Sequence, residues 1–404
     1  MEKLPLDGVR VADFSWVIAG PYATMWLAVM GAEVVRIETN QHIDVNRRGQ
    51  PFAGGIAGEN RSGLWNSLNF AKLSCNLNLA KPKAADLARQ LVSISDVVVE
   101  NFAYGQMARF GLGYAELRKL KPDLILVSSS GVGRTGPERG YVSYNEQLVA
   151  YSGLASLTGN IGGAPTNVGG FWADHLSATA LAFAILAALR HRTRTGEGQD
   201  IDISMTEAVM SQLPQGLMDY AMNKRVPVPL GNRDAVMVPH GVYHCKGEDK
   251  WVAIAVSTEE EWRSLCQAMG DPPWTREKKF ADPASRRQNL SELDDNINAW
   301  TRERSHYEVM EILQGVGVAA GPSVDIEELV NDPHLREREF FVSPNHLETG
   351  RLSLPGLPCK LSAHPTLNYA PSPLLGQHNE YVFLELLGLS DQEFAELIGE
   401  GVIL

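Results

Sequence analysis

The sequence predicts an α/β protein of two domains, on three observations. Over roughly the first 200 residues, short β-branched runs alternate with helical stretches, the pattern of a parallel sheet with helices on both faces. After Arg225 the character changes, as a stiff Val226-Pro227-Val228-Pro229 connector leads into strands and helices without strict alternation. The 404 residues, 44% of them hydrophobic, are ample for a buried core and long for a single one. The expected parts are residues 1–224, a large α/β part; 225–320, a smaller α+β domain; and 321–404, a linker and C-terminal part.

Residues 9–14 read as the first strand. Gly20-Pro21 opens a helix over 22–30, with proline where a missing N–H costs nothing. A second strand lies at 33–37. Residues 83–94 are amphipathic and helical, 96–100 a strand, 114–120 a helix and 124–129 a strand. Residues 176–191 form one long apolar helix. It ends in Arg190-His191-Arg192-Thr193-Arg194 and is stopped by Gly196 and Gly198. Residues 199–204 alternate Asp with Ile, a strand with one buried face, and 205–223 are helical. Beyond the connector, 230–239 reads as a loop, 241–245 and 251–256 as strands, and 259–269, 290–302 and 307–314 as helices. From Ala320 onward, eight prolines between Pro322 and Pro373 mark an irregular, wrapping segment. A final helix near 380–387 closes the chain.

Charge and cysteine content narrow the function classes. The chain carries 36 basic and 48 acidic residues, a net of −12. A nucleic-acid partner usually shows as a basic surplus, so none is expected; a local cationic cleft for a small anion stays compatible. Cys75, Cys245, Cys266 and Cys359 are far apart, with no Cys/His cluster. No disulfide framework and no metal site is expected, and a reducing cytoplasm is the simplest setting. The N-terminal Met1 to Gly8 lacks the apolar core of a signal peptide. The longest apolar run, 14 residues at 176–189, falls short of the roughly 20 that span a bilayer, so no membrane partner is expected.

Asp174 is the most informative residue. It sits in Phe171-Trp172-Ala173-Asp174-His175, between a glycine-rich stretch and the long apolar run. An unperturbed aspartate, with a pKa of about 3.9, is ionised at neutral pH. Such a group can attack an activated acyl carbon, or it can simply cap the helix. Asp13-Phe14-Ser15-Trp16-Val17-Ile18-Ala19-Gly20-Pro21 follows the first strand, where ligands bind in open α/β sheets. No G-x-G-x-x-G is present, so a nicotinamide fingerprint is not supported. Asn101 and Phe102 follow another strand, and Arg109 comes soon after, where a guanidinium can hold a phosphate. Arg47-Arg48 offers paired guanidinium groups for a carboxylate, and Asn232-Arg233 forms a similar polar segment. Each of these has an ordinary reading as a turn or a solvated loop.

Together the segments are more specific. Gly8-Val9-Arg10-Val11-Ala12-Asp13-Phe14, Ala19-Gly20-Pro21 and Gly31-Ala32-Glu33-Val34-Val35-Arg36-Ile37-Glu38 resemble the opening of class III CoA-transferases, the formyl-CoA and carnitine CoA-transferase family. Asp96 to Phe102, Tyr144-Asn145, Gly153, Ala173-Asp174, Thr195 to Met205 and Gly241-Val242-Tyr243-His244-Cys245-Lys246 match in the same order. The resemblance implies a Rossmann-like large domain built from both chain ends, a small domain between them, and an interlocked homodimer. Some relatives are heteromers, and Asp174 would make this chain the active partner of one. It implies Asp174 as nucleophile, with Trp16, Val17, Ile18, Ala19, Asn101, Phe102, Arg109 and Tyr144 at the CoA site. CoA thioesters would be substrates, and no tightly bound cofactor is implied. The oxyanion donors would be backbone N–H groups near Ala19 or Gly169-Gly170.

Thr39 stands where some members carry a basic phosphate-binding residue. Residues 230–241 replace the glycine-rich loop of formyl-CoA transferase, which argues against oxalate. The nearest likeness is to succinyl-CoA-dependent transferases acting on malate, citramalate or benzylsuccinate. A dicarboxylate needs a cation for its second carboxylate, and Arg47, Arg48 and Arg233 are the candidates. The rival within the family is an α-methylacyl-CoA racemase. Its histidine base would stand at Tyr144, and a phenol is a poor base at neutral pH.

Overall fold

A computed structural model of the chain describes residues 3–404; Met1 and Glu2, where the N-terminal segment begins, lie outside the described residues. Six parallel strands form the main sheet: β1 (Arg10–Asp13), β2 (Glu33–Glu38), β3 (Leu73–Asn76), β4 (Val97–Glu100), β5 (Ile125–Ser130) and β6 (Gln199–Ser204). Their order is β3-β2-β1-β4-β5-β6, the order of a doubly wound, Rossmann-like sheet. β1 sits between β2 and β4, so the connections leaving β1 and β4 run to opposite sides. That switch point opens a crevice at the carboxyl ends of the two strands.

Burial on both faces explains the valine-rich strands. Val11, Val97, Val99, Ile125 and Val127 face the helices Ala19–Val29 and Trp172–Thr195. Ala12, Val98 and Leu126 face the Pro82–Ser93 helix and the end of the chain, where Val382, Phe383, Val402 and Ile403 are buried. The C-terminal part therefore returns to the large sheet.

The chain divides into two compact units. One comprises the chain up to Ala155, Asn167–Arg225 and Glu339–Leu404; the other comprises Ser156–Thr166 and Val226–Arg338. The smaller unit thus reaches Arg338 rather than residue 320. Its sheet has the order β7 (His240–His244), β8 (Trp251–Ala255), β9 (Ala319–Ser323). A boundary at 320 would cut through β9, which pairs with β8 along its whole length. The helices Glu259–Ala268, Leu290–Thr301 and His306–Gly315 bury Leu265, Ile297 and Leu313 in that unit's own core.

Several elements differ from the expectation. The segment 205–223 is two helices, Met205–Met210 and Pro214–Asn223, because proline blocks continuation through 211–213. The last helix is Asp391–Gly399, beyond a π-helical turn at Tyr381–Leu386. The long helix begins at Trp172, four residues earlier than the apolar run suggested, so Asp174 lies inside its first turn. At 24 residues this helix is long and apolar enough to cross a membrane by length and composition, yet half of its apolar window is buried within the fold.

Candidate active site

The switch-point crevice is built by three loops. The first leaves β1 as Phe14-Ser15-Trp16-Val17-Ile18 and enters the Ala19–Val29 helix. Gly20 is required there, since a Cβ at that position would lie 2.2 Å from the Cβ of Ser15. The second leaves β4 as Asn101-Phe102. The third leaves β5 as Ser130-Gly131. These loops line a cleft of about 530 Å³ whose walls include Trp16, Phe102, Tyr144 and Asp174.

Asp174 is not the cap of its helix. The N-cap position is Phe171, which makes no side-chain capping bond. The cap comes from another helix, Asn145–Tyr151: the Ala173 N–H donates to Asn145 Oδ1 at 3.0 Å, and Asn145 Nδ2 donates to the Gly170 carbonyl at 3.1 Å. Asn145 thereby satisfies the helix end and leaves the Asp174 carboxylate to the N–H groups of Asp174 itself and of Ala19. Asp174 is only 9% exposed. Burial pushes its carboxyl up from 3.8 to about 6, and the Glu146 carboxylate across the cleft adds to the rise; the N–H groups of Asp174 itself and of Ala19 oppose it. The ordinary carboxylate value expected from sequence is therefore corrected upward by desolvation. The group is ionised at neutral pH, but less securely than a surface aspartate.

The remaining predicted residues divide into three groups. Trp16, Val17, Ile18, Asn101, Phe102 and Tyr144 line the cleft with Asp174. Ala19 is buried behind it as the first residue of its helix and contributes its N–H. Arg109 ends the short Gln106–Arg109 helix and is exposed, outside this cleft. Arg47 is corrected. It is fully buried, forms a two-pronged pair with both carboxylate oxygens of Glu38 at 2.8 Å, and stacks 3.4 Å from the Trp65 ring centre. Asn60 and the Pro373 carbonyl take its other N–H groups. A guanidinium so occupied is a structural ion and has no donor left for a substrate. Arg48 is exposed on the Val45–Arg48 turn. Arg233 is exposed in the smaller unit, on a polar cavity of about 290 Å³ shared with Asp294 and Asn298.

Sequence reasoning missed several polar residues of the cleft. Ser129, Ser130 and Ser143 present hydroxyls that are buried and find no hydrogen-bond partner among the described residues, and Glu146 supplies the second carboxylate. A signal was available for the first two, because hydroxyls at the carboxyl end of a central parallel strand stand where ligands bind. Among the described residues no cluster of His, Cys, Asp and Glu is arranged to hold a metal ion.

A second cavity of about 330 Å³ shares Trp16 and Phe102 with the cleft and continues past Thr39, His42, Leu79 and Phe110. An aromatic and apolar wall next to a cleft that holds a buried carboxylate suits a long ligand with a flat end.

The chain is similar to known proteins over nearly its whole length. A succinyl-CoA–D-citramalate CoA-transferase of Chloroflexus aurantiacus is 32% identical over 399 residues, covering 99% of this chain and 98% of the relative. A protein of the same organism named as the beta subunit of succinyl-CoA–L-malate CoA-transferase is 33% identical over 404 residues, covering 99% and 98%. The crystal structure of a CAIB/BAIF family protein from Brucella suis superposes with a TM-score of 0.86 at 27% identity, covering 95% of this chain and all of that one. The family model described as CoA-transferase family III matches residues 6–379, and the chain belongs to that family.

Proposed function

We propose that this CoA-transferase moves CoA from succinyl-CoA to a dicarboxylic acid of the malate, citramalate or benzylsuccinate kind, through a thioester on Asp174. The observation that carries the reading is a buried, ionisable carboxylate, relieved of capping by Asn145, in a cleft at the switch point of the sheet. The relatives named for succinyl-CoA with citramalate or malate support the substrate class.

The Asp174 carboxylate attacks the thioester carbonyl, the C–S bond breaks, and a mixed anhydride and CoA thiolate result. The thiolate then attacks the aspartyl carbonyl, releasing the donor acid and leaving aspartyl-CoA. The acceptor carboxylate attacks that thioester, CoA thiolate leaves again, and its attack on the acceptor carbonyl frees Asp174. The acyl activation is conserved at every step, so no nucleoside triphosphate is consumed. The 330 Å³ cavity beyond Trp16 and Phe102 takes the nucleotide end of CoA. With Arg47 committed to Glu38, the exposed Arg48 is the candidate in the large unit for the acceptor's distal carboxylate. Neutralising the responsible arginine should raise KM for dicarboxylic acids and spare monocarboxylic ones.

The working molecule is a homodimer. The Pro214–Asn223 helix buries none of its residues, and Leu217 and Met222 stand 55% and 73% exposed, an apolar face that a second copy would cover. The alternative is a heteromer, since one relative is named as a beta subunit. A solution mass of twice the 44.2 kDa chain, measured on active protein, is expected; a monomer of full activity would refute the dimer.

The decisive experiment is incubation with succinyl-CoA and a panel of acids, with mass spectrometry of the CoA esters and borohydride trapping of the enzyme. Reduction of Asp174 to an alcohol, with release of CoA and only after exposure to succinyl-CoA, is expected, and Asp174→Asn should lower transfer by on the order of 10³-fold or more. Full turnover by that variant would sink the mechanism.

A further inference from the structure

The loop between β1 and the Ala19–Val29 helix is held more firmly than a turn requires. The Trp16 N–H donates to Asn101 Oδ1 at 2.7 Å, and the Trp16 carbonyl accepts from Asn101 Nδ2 at 2.8 Å. One residue on, the Val17 N–H donates to Asp44 Oδ2 at 3.1 Å, and the Val17 carbonyl accepts from Asn46 Nδ2. Consecutive residues are thus gripped at both polar atoms by side chains from distant segments.

Val17 needs that grip. Its φ is +64°, the left-handed region that a β-branched residue rarely enters. Such a conformation is strained and persists only when its surroundings over-determine it. The surroundings here are rigid. Asp44 and Asn46 are 3% and 4% exposed, the Asn46 N–H donates back to Asp44 Oδ1 at 2.9 Å, and Arg36, itself buried, pairs with Asp44. Two residues after Val17 comes Ala19, whose N–H acts on the Asp174 carboxylate.

We propose that Asp44 and Asn46 are positioning residues for CoA transfer: they lock Val17 in its left-handed conformation and so hold the Ala19 N–H on the reactive carboxylate of Asp174. The proposal rests on Asp174 as the nucleophile. When the thiolate adds to the aspartyl carbonyl, negative charge moves onto an Asp174 oxygen, and the N–H fixed beside it stabilises that charge without reorganisation. The same N–H favours the ionised carboxylate before reaction.

A double-mutant cycle between Asn46→Ala and Val17→Gly tests the proposal, because glycine enters the left-handed region without strain and no longer needs the lock. In the native background, Asn46→Ala should lower kcat by about 30-fold and move the acid limb of the pH–rate profile upward, with KM for succinyl-CoA changed less than about threefold. In the Val17→Gly background the same substitution should cost less than about threefold in kcat. Asp44→Asn, which keeps the side-chain volume, repeats the measurement if Asn46→Ala does not fold. An unchanged kcat and pH limb, or a loss equal in both backgrounds, would overturn the lock. Borohydride trapping on the native enzyme separates the two claims. An Asp174 reduced to the alcohol without coupling refutes the lock alone, and no reduction there refutes the nucleophile.

Discussion

Asp174 illustrates how a single residue trades stability for chemistry. Its carboxyl titrates at about 6 in the folded chain against 3.8 unperturbed. A folded-state value raised above the unfolded one means that the protonated form is the one the fold prefers. The associated stability is complete below pH 3.8 and is lost as pH rises through about 6. At pH 7 the ionised group therefore costs on the order of 2–3 kcal/mol relative to its neutral form. Asp174→Asn removes that cost, so this variant should melt higher than the native protein at pH 7–8, by a few degrees, and show no advantage near pH 4. Equal melting temperatures at pH 7.5 would show that the carboxylate is not held against its preference. With Asp174 as the proposed nucleophile, transfer should fall about tenfold per unit of pH below about 6, where its carboxyl is protonated.

At the scale of elements, what the sequence disclosed tracks where each strand lies. β2, β4 and β5 carry runs of Val and Ile that are buried on both faces, and their pattern is visible without any structure. β3 was not, because Leu73-Ser74-Cys75-Asn76 carries its polar groups inside: Ser74 Oγ donates to Glu38 at 2.7 Å, and Asn76 is 4% exposed. β9 was hidden by Gly321 and Pro322, which an edge strand tolerates. Asp174 and the loop after β1, which line one cleft, could be singled out from residue type and position. Their supports could not, since Asn145 reaches 28 residues along the chain to Ala173, and Asp44 and Asn46 reach 27 and 29 to Val17. Local patterning records where an element begins and ends; it carries no trace of a side chain that caps another element from a distance. Arg47 shows the converse error. A pair of arginines in a polar stretch reads as an anion site, and only the buried Glu38, paired with an Arg47 that stacks on Trp65, reveals that one of them already has its anion.

For the large unit as a whole, the end of the chain completes the sheet. β3 is the outer strand, and its free N–H groups would be an exposed edge. The C-terminal segment closes it with side chains. The Ser74 N–H donates to His378 Nδ1 at 3.1 Å, and the Asn76 N–H donates to Asn379 Oδ1 at 2.8 Å. Tyr381 then donates to Glu33 at 2.6 Å, and Phe383 and Ile403 enter the core. His378 can accept only while its ring is neutral, and burial holds its pKa below the ordinary 6.5. A depressed folded value gives stability that is present above pH 6.5 and is lost as pH falls through the lower, folded value. Acidification should therefore loosen the chain end before it affects the strands it covers. Hydrogen exchange at Ser74 and Asn76 should accelerate below pH 6 beyond the change that pH alone produces, while amides of β4 stay protected. Phe383→Ala, which removes the anchor without touching the edge, should cost about 3–5 kcal/mol in denaturant unfolding and expose the same amides at neutral pH. If β3 exchanges no faster than β4 under either perturbation, the chain end is an appendage, and the sheet closes its own edge without it.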